Sequence, residues 1–155
     1  MKLLISLCLV CLPLKQLKIN SGYGFRIHPL TGKYAMHDGV DLQARHDTVF
    51  AVLNGFVKAV GYNDGLGISI RLNHGDIESV YGHLSRILVG PQDSVSAGDP
   101  IGITGATGRV TGEHLHFCIC YKHQYINPIK FLYELLNKND HERQKFQGAS
   151  DPAFE

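Results

Sequence analysis

Nine histidines in 155 residues are more than packing requires, and imidazole is both a metal ligand and a proton-transfer group near neutral pH. Their spacing is where chemistry should be legible. His37-Asp38-Gly39-Val40-Asp41 sets a histidine and a carboxylate four apart. Gly39 and β-branched Val40 argue against a helix that would bring the two together. In an extended strand they share a face about 13 Å apart, too far for one ion unless the chain bends, and Gly39 is the natural bend. An exposed polar turn is the plain alternative. His114-Leu115-His116 puts two imidazoles on one strand face about 6.6–7 Å apart, so one ring can bind a metal while the other faces water or substrate. Two solvent-facing histidines are the alternative there. Tyr81-Gly82-His83-Leu84 adds a histidine at a strand end, a place usually filled by a surface residue. Taken together, two histidines and one aspartate with a fourth position open describe a catalytic zinc site and not a closed structural one.

The elements that must position these groups read as short strands. Thr48–Leu53, Phe56–Tyr62, Ile68–Asn73 and Ile77–Leu84 are apolar runs separated by turn residues. Asn54-Gly55 predicts a type I′ hairpin between the first two, and His74-Gly75-Asp76 a turn between the last two. A polar loop from Gly90 to Asp99 precedes Pro100–Thr104. His114 to Tyr121 alternates cleanly, with His114, His116, Cys118 and Cys120 on one face and Leu115, Phe117, Ile119 and Tyr121 on the other. Cys118 and Cys120 lie at the far edge of disulfide reach, so two small buried thiols are expected. Asn127-Pro128 supplies an N-cap and an N1 proline for one short amphipathic helix carrying Ile129, Leu132, Tyr133 and Leu136. Beyond Asn137 the chain turns polar and aperiodic, which predicts a disordered tail.

Composition sets the frame. At 44% hydrophobic and 19% charged, the chain has the core of one ordinary domain. A net charge of +1 from 15 basic and 14 acidic side chains gives no electrostatic footprint for nucleic acid. Seventeen glycines spaced between apolar runs favour many turns and a β-rich fold. Met1-Lys2 and the apolar run Leu3 to Leu14, which contains Cys8 and Cys11, match a secretory signal, although no small-residue cleavage site follows. An uncleaved membrane tether or a buried segment is the alternative. The expected organisation is a signal peptide or tether over 1–19, a folded domain over 20–136, and a tail over 137–155.

Five strings in order carry a family resemblance: Ser21 to Pro29 (SGYGFRIHP), His37 to Asp41, Tyr81-Gly82-His83-Leu84, Gly105-Ala106-Thr107-Gly108 and His114-Leu115-His116-Phe117. Together they resemble the lysostaphin-type (LytM-like) zinc metallopeptidases that cut peptidoglycan peptides. The resemblance implies a mainly β, compact antiparallel β-sheet single domain of the duplicated-hybrid-motif type, with one short C-terminal helix and the metal in a groove across the sheet. It implies one zinc ion on His37, Asp41 and His116, non-ligand catalytic roles for His83 and His114, and groove-lining places for Arg26 and Tyr34. Zinc would acidify water and polarise the scissile carbonyl, with one of His83 and His114 accepting a proton and the other assisting the oxyanion or leaving amine. The implied partner is peptidoglycan, and the implied location is outside the cytoplasm, in the periplasm or cell envelope of a bacterium. Membrane contact would come only through the N-terminal segment. Two departures stand out: Cys118 replaces a residue commonly acidic in the family, and Ala44-Arg45-His46-Asp47 replaces a small Pro/Gly turn, with His46 read as a surface residue. The rival implication is a non-catalytic member that binds wall or activates another wall hydrolase. A biotinyl or lipoyl carrier, suggested by Gly55-Phe56-Val57 and Gly98 to Gly102, lacks the lysine it needs at the Asn54-Gly55 turn.

Overall fold

The alternation in His114–Tyr121 dictates the centre of the molecule, because its two faces differ in kind. Leu115, Phe117 and Ile119 are fully buried, each contributing about 1.5–3 kcal/mol of apolar burial. The opposite face carries the histidines and cysteines. A computed structural model describes residues 10–148 and shows this strand in the interior of an antiparallel sheet. In chain order the elements are β1 (Ile19–Ser21), β2 (Gly24–Ile27), β3 (Tyr34–His37), β4 (Val40–Gln43), β5 (Thr48–Phe50), β6 (Gly55–Asn63) and β7 (Gly67–Asn73). There follow β8 (Ile77–Ile87), β9 (Ser94–Val95), β10 (Pro100–Thr104), β11 (His114–Tyr121), β12 (Gln124–Ile126) and α1 (Pro128–Gly148).

The main sheet has ten strands, with the path β1-β4-β11-β8-β7-β6-β9; β10 joins β5 to β8, and β12 pairs with β11. Strands β2 and β3 form a separate hairpin. The core gathers Val40, Leu42, Val49, Ile70, Leu72, Leu84, Ile101 and the inward face of β11. The mainly β antiparallel architecture expected from the sequence is thus observed. The turn at Gly75 (φ +101°) joins β7 to β8 as expected.

The Asn54-Gly55 hairpin is not formed. β5 pairs with β10, and β6 pairs with β7 and β9. Neither Asn54 nor Gly55 has the positive φ that a type I′ turn needs. Asn54 is spent elsewhere: its Oδ1 accepts the Ala97 N–H and its carbonyl accepts from His74. The type I′ geometry occurs instead at Lys122-His123 (φ 45° and 68°), between β11 and β12, where no glycine announced it.

The helix starts where predicted, with Asn127 Oδ1 accepting the N–H groups of Ile129 and Lys130. It continues to Gly148, so residues 137–148 are not the disordered tail expected. Once the first turns are anchored by Leu132, the Lys, Glu, Arg and Gln of this stretch are good enough helix formers to propagate it without an apolar stripe. Tyr133 is exposed; Phe131 and Leu135 pack in its place. At the other end, the packed body begins before residue 20. Val10 and Leu14 are buried in the core, Cys11 N–H donates to Val52 O, and Phe50 N–H to Pro13 O. Residues 1–9, with Cys8 and most of the signal-like run, and 149–155 at the end of the expected tail lie outside the described residues. Among the described residues no helix is long and apolar enough to cross a membrane.

Candidate active site

Sheet register builds the site. On β11, His116 pairs with Asp41 of β4 on one side and with Gly82 of β8 on the other, while His114 is opposite Gln43. Cross-strand partners share a face, so His116 and Asp41 meet directly; His116 Nδ1 and Asp41 Oδ1 are 2.9 Å apart. His37 arrives from the β2–β3 hairpin. The chain bends at Asp38-Gly39 between the two sheets and brings His37 Nε2 to 3.2 Å from both Asp41 Oδ1 and His116 Nδ1. Only glycine fits the bend: a Cβ on Gly39 would stand 2.5 Å from Phe117 O and 2.6 Å from Cys118 Sγ. One ligand atom from each of His37, Asp41 and His116 lies within 4.8 Å of the others.

His83 is aimed by a bulge. Between the pairs Ile70–Tyr81 and Ile68–Leu84 the β7–β8 register shifts, and His83 takes φ 60°, uncommon for a side chain with a Cβ. Its N–H donates to Leu66 O and its Nδ1–H to Thr107 O at 2.8 Å. Thr107 is itself fixed, its hydroxyl donating to Leu84 O and accepting from Ile68 N–H. The loop packs so closely on β7 that a Cβ on Gly67 (φ +63°) would fall 2.3 Å from the Thr107 carbonyl. His114 donates Nδ1–H to Gly112 O at 2.9 Å and turns Nε2 to 3.4 Å from Asp41 Oδ1. The His83 and His114 rings lie 4.7 Å apart, edge to face.

Electrostatics follows from this crowding. Burial alone would raise Asp41, but the imidazoles of His114, His116 and His37 packed against it hold its carboxyl far below the usual carboxylate range. Burial lowers His83 to about 4, despite its bond to the Thr107 carbonyl, so it is neutral at pH 7. Burial also opposes protonation of His114, but the adjacent Asp41 carboxylate outweighs it and raises that imidazole.

The donor set suits zinc. His37 Nδ1–H donates to Gly22 O at 2.7 Å, which leaves Nε2 as a bare lone pair facing Asp41 Oδ1. Two acceptors 3.2 Å apart repel unless a cation lies between them. Two imidazole nitrogens and one carboxylate oxygen are the donors of a catalytic zinc site with one position open.

All five expected histidine and aspartate positions converge. Arg26 lines the roughly 530 Å³ groove that holds them, and its Nη2 also donates to Asp41 Oδ2 at 3.3 Å, a contact the sequence did not announce. Tyr34 does not line the groove. Its pairing with Ile27 places it on the outer face of the hairpin, 70% exposed and stacked on Phe25, while Arg26 faces inward. A larger cleft of about 900 Å³ lies over Lys15, Lys18, Arg45, His46, Asp47 and Glu113, and none of the five clustered residues lines it. His46 is exposed there, as expected of a turn residue.

The sequence pattern of peptidase family M23 matches residues 35–128. The chain belongs to peptidase family M23. Within the family, this M23 chain is 35% identical over 119 residues to the DD-carboxypeptidase/endopeptidase Mpg of Neisseria meningitidis, which covers 76% of the chain and 27% of that relative. It thus spans about a quarter of the length of the curated relatives it matches. Its fold superimposes on a zinc-containing peptidase from Vibrio cholerae with a TM-score of 0.70 at 32% identity, covering 74% of this chain and 37% of that one. It also superimposes on the catalytic domain of lysostaphin from Staphylococcus simulans with a TM-score of 0.69 at 34% identity, covering 76% and 92%. The M23 match spans four of the five clustered strings, from His37 to His116.

Proposed function

We propose that this chain is a zinc-dependent endopeptidase that hydrolyses peptide crosslinks or bridges of peptidoglycan. The observation that carries the reading is the convergence of His37 Nε2, Asp41 Oδ1 and His116 Nδ1, with two further imidazoles beside them that are not part of the triad. Zinc held by these three atoms supplies a Lewis acid that acidifies water and polarises a carbonyl. The chain's own groups do the rest. His37 is fixed in the tautomer that turns a lone pair inward, and Arg26 engages Asp41 Oδ2 so that Oδ1 faces the cluster. His83 and His114 each donate Nδ1–H to a carbonyl and keep Nε2 for the groove. One accepts the proton of the attacking water while the other hydrogen-bonds the developing oxyanion or protonates the leaving amine.

The named activities of Mpg and of the Vibrio cholerae DD-endopeptidases support peptidoglycan peptides as the substrate class. A peptidoglycan substrate supports a place in the cell envelope or periplasm, with the Leu3–Leu14 run as the proposed signal or tether. The burial of Val10 and Leu14 in the core supports a segment that stays with the domain.

The test pairs elemental analysis of the purified full chain with release of soluble muropeptides from isolated sacculi. About one zinc per chain, with release that stops on chelation and returns on adding zinc, is expected from three ligands and one open position. Zinc without release favours the activating, non-catalytic reading, and absence of zinc overturns the ligand set.

A further inference from the structure

A metal held by His116 Nδ1 needs the lone pair of that nitrogen, so the ring proton must sit on Nε2. The atom placed to receive it is Cys118 Sγ, 3.1 Å away. His37, by comparison, donates its outer N–H to a backbone carbonyl at 2.7 Å. Ligating imidazoles normally donate to a carboxylate, carbonyl or water, and that partner sets ring orientation and ligand basicity. A thiol is an unusual choice.

Resting on the zinc reading above, we propose that Cys118 is the positioning residue of the metal ligand His116: its thiol sulfur accepts the Nε2–H and fixes the tautomer that turns Nδ1 to the metal.

The geometry around the sulfur supports this in three ways. Cys118 follows His116 by two residues on β11, on the same face, so strand register holds sulfur and ring together. The pair is packed from above by Gly39, where a Cβ would stand 2.6 Å from Cys118 Sγ and 3.1 Å from His116 Cε1. The residue that lets the chain bend between His37 and Asp41 is therefore also the residue that leaves room for the sulfur–imidazole contact. Cys118 is 3% exposed and forms no disulfide, so water does not compete for the ring N–H. The nearby Cys120 is also buried and free, and no hydrogen bond joins it to a histidine among the described residues.

The experiment measures zinc affinity of the full-length chain by competition with a chelating dye, for wild type, Cys118→Ala and Cys118→Ser. Nitrogen-15 spectra of the histidine side chains in the zinc-loaded proteins accompany it. Losing the acceptor in Cys118→Ala is expected to weaken zinc binding about 10-fold or more, the scale seen when an outer-shell partner is removed. The serine hydroxyl accepts the same N–H, so Cys118→Ser is expected to recover most of the affinity. In the wild type the His116 Nε2–H resonance is expected to be protected from solvent exchange, and in Cys118→Ala to lose that protection. Wild-type affinity in Cys118→Ala overturns the proposal, as does an equal loss in Ala and Ser that tracks a lower melting temperature of the metal-free chain, which would mark a packing role. A wild-type chain that takes up no zinc at all removes the metal reading itself, and this inference with it.

Discussion

Two histidine-bearing polar clusters border the main sheet, and their hydrogen bonds close in opposite ways. Below the β7–β8 turn, His74 donates Nδ1–H to Asn54 O at 2.8 Å, so its Nε2 must accept, and Ser79 Oγ is 2.8 Å from it. Ser79 Oγ is in turn 3.0 Å from the Tyr81 hydroxyl, whose oxygen accepts the Val52 N–H at 3.1 Å. Tyr81, Ser79 and His74 each have a partner on both sides, so the chain from Val52 N–H to Asn54 O runs without a gap. At His37, Asp41 and His116 the same accounting fails, because three acceptor atoms converge with at most one proton among them. A closed polar chain specifies a core. An open one that persists in a folded protein marks a place for something to bind.

The comparison breaks first at the open cluster. Replacing His37 with alanine is expected to abolish both zinc uptake and muropeptide release, since one of three ligands is lost. Replacing His114 with alanine is expected to lower kcat by roughly 10²–10⁴-fold, the scale of a lost acid–base group, with about one zinc per chain retained. Elemental analysis beside a sacculus-release assay separates the two. Loss of zinc from the His114 variant would move that residue into the ligand set.

At the closed cluster the prediction reverses. Tyr81 lies next to the Gly82-His83 bulge in sequence, yet its ring is fully buried against Phe117 and burial pushes its phenol well above the usual range. Tyr81→Phe keeps the ring and leaves Val52 N–H without its acceptor. A loss of about 1–3 kcal/mol in unfolding free energy is expected from one unsatisfied buried donor, with zinc content and kcat unchanged. Urea denaturation measures the first and the activity assay the second. A large fall in kcat would show that the two clusters are coupled through β8.

The same contrast explains what the sequence disclosed. Strand β11 was legible to the residue because its faces differ in polarity at every step, and His37, Asp41, His83, His114 and His116 were legible because ordered spacing survives in a linear string. What stayed hidden depends on contacts from other elements. Asn54-Gly55 carries a strong local turn signal, but pairing of β5 with β10 overrides it. Tyr34 and Arg26 are both polar-tipped residues of one hairpin, and only the register of β2 on β3 puts Arg26 inward and Tyr34 outward. The carbonyls of Gly22, Thr107 and Gly112, which set three histidine tautomers, have no side-chain signature at all. Helix α1 past Asn137 was missed because the sequence there shows no apolar period.

The smallest expected effect is a pH dependence confined to the closed cluster. Burial lowers the pKa of His74 below its ordinary value of 6.5, against the pull of the Asn54 carbonyl and the Glu78 charge. Between the unfolded value and the lowered folded one, the unfolded chain binds more protons than the native chain, so stability falls as pH drops through that window. It levels off once pH is below the folded pKa, and above about 6.5 the residue contributes no slope. His74→Gln cannot take up the proton, so its denaturation midpoint should lose this component of the acid slope while keeping whatever the open cluster contributes. The measurement is therefore a difference of differences: urea midpoints of wild type and variant at pH 7.5, 6.5 and 5.5, both metal-free. A steeper fall in the wild type below pH 6.5 is expected. Parallel curves would mean that His74 accepts a proton in the native state at no cost, and that the contact with Ser79 does not hold its Nε2 as an acceptor.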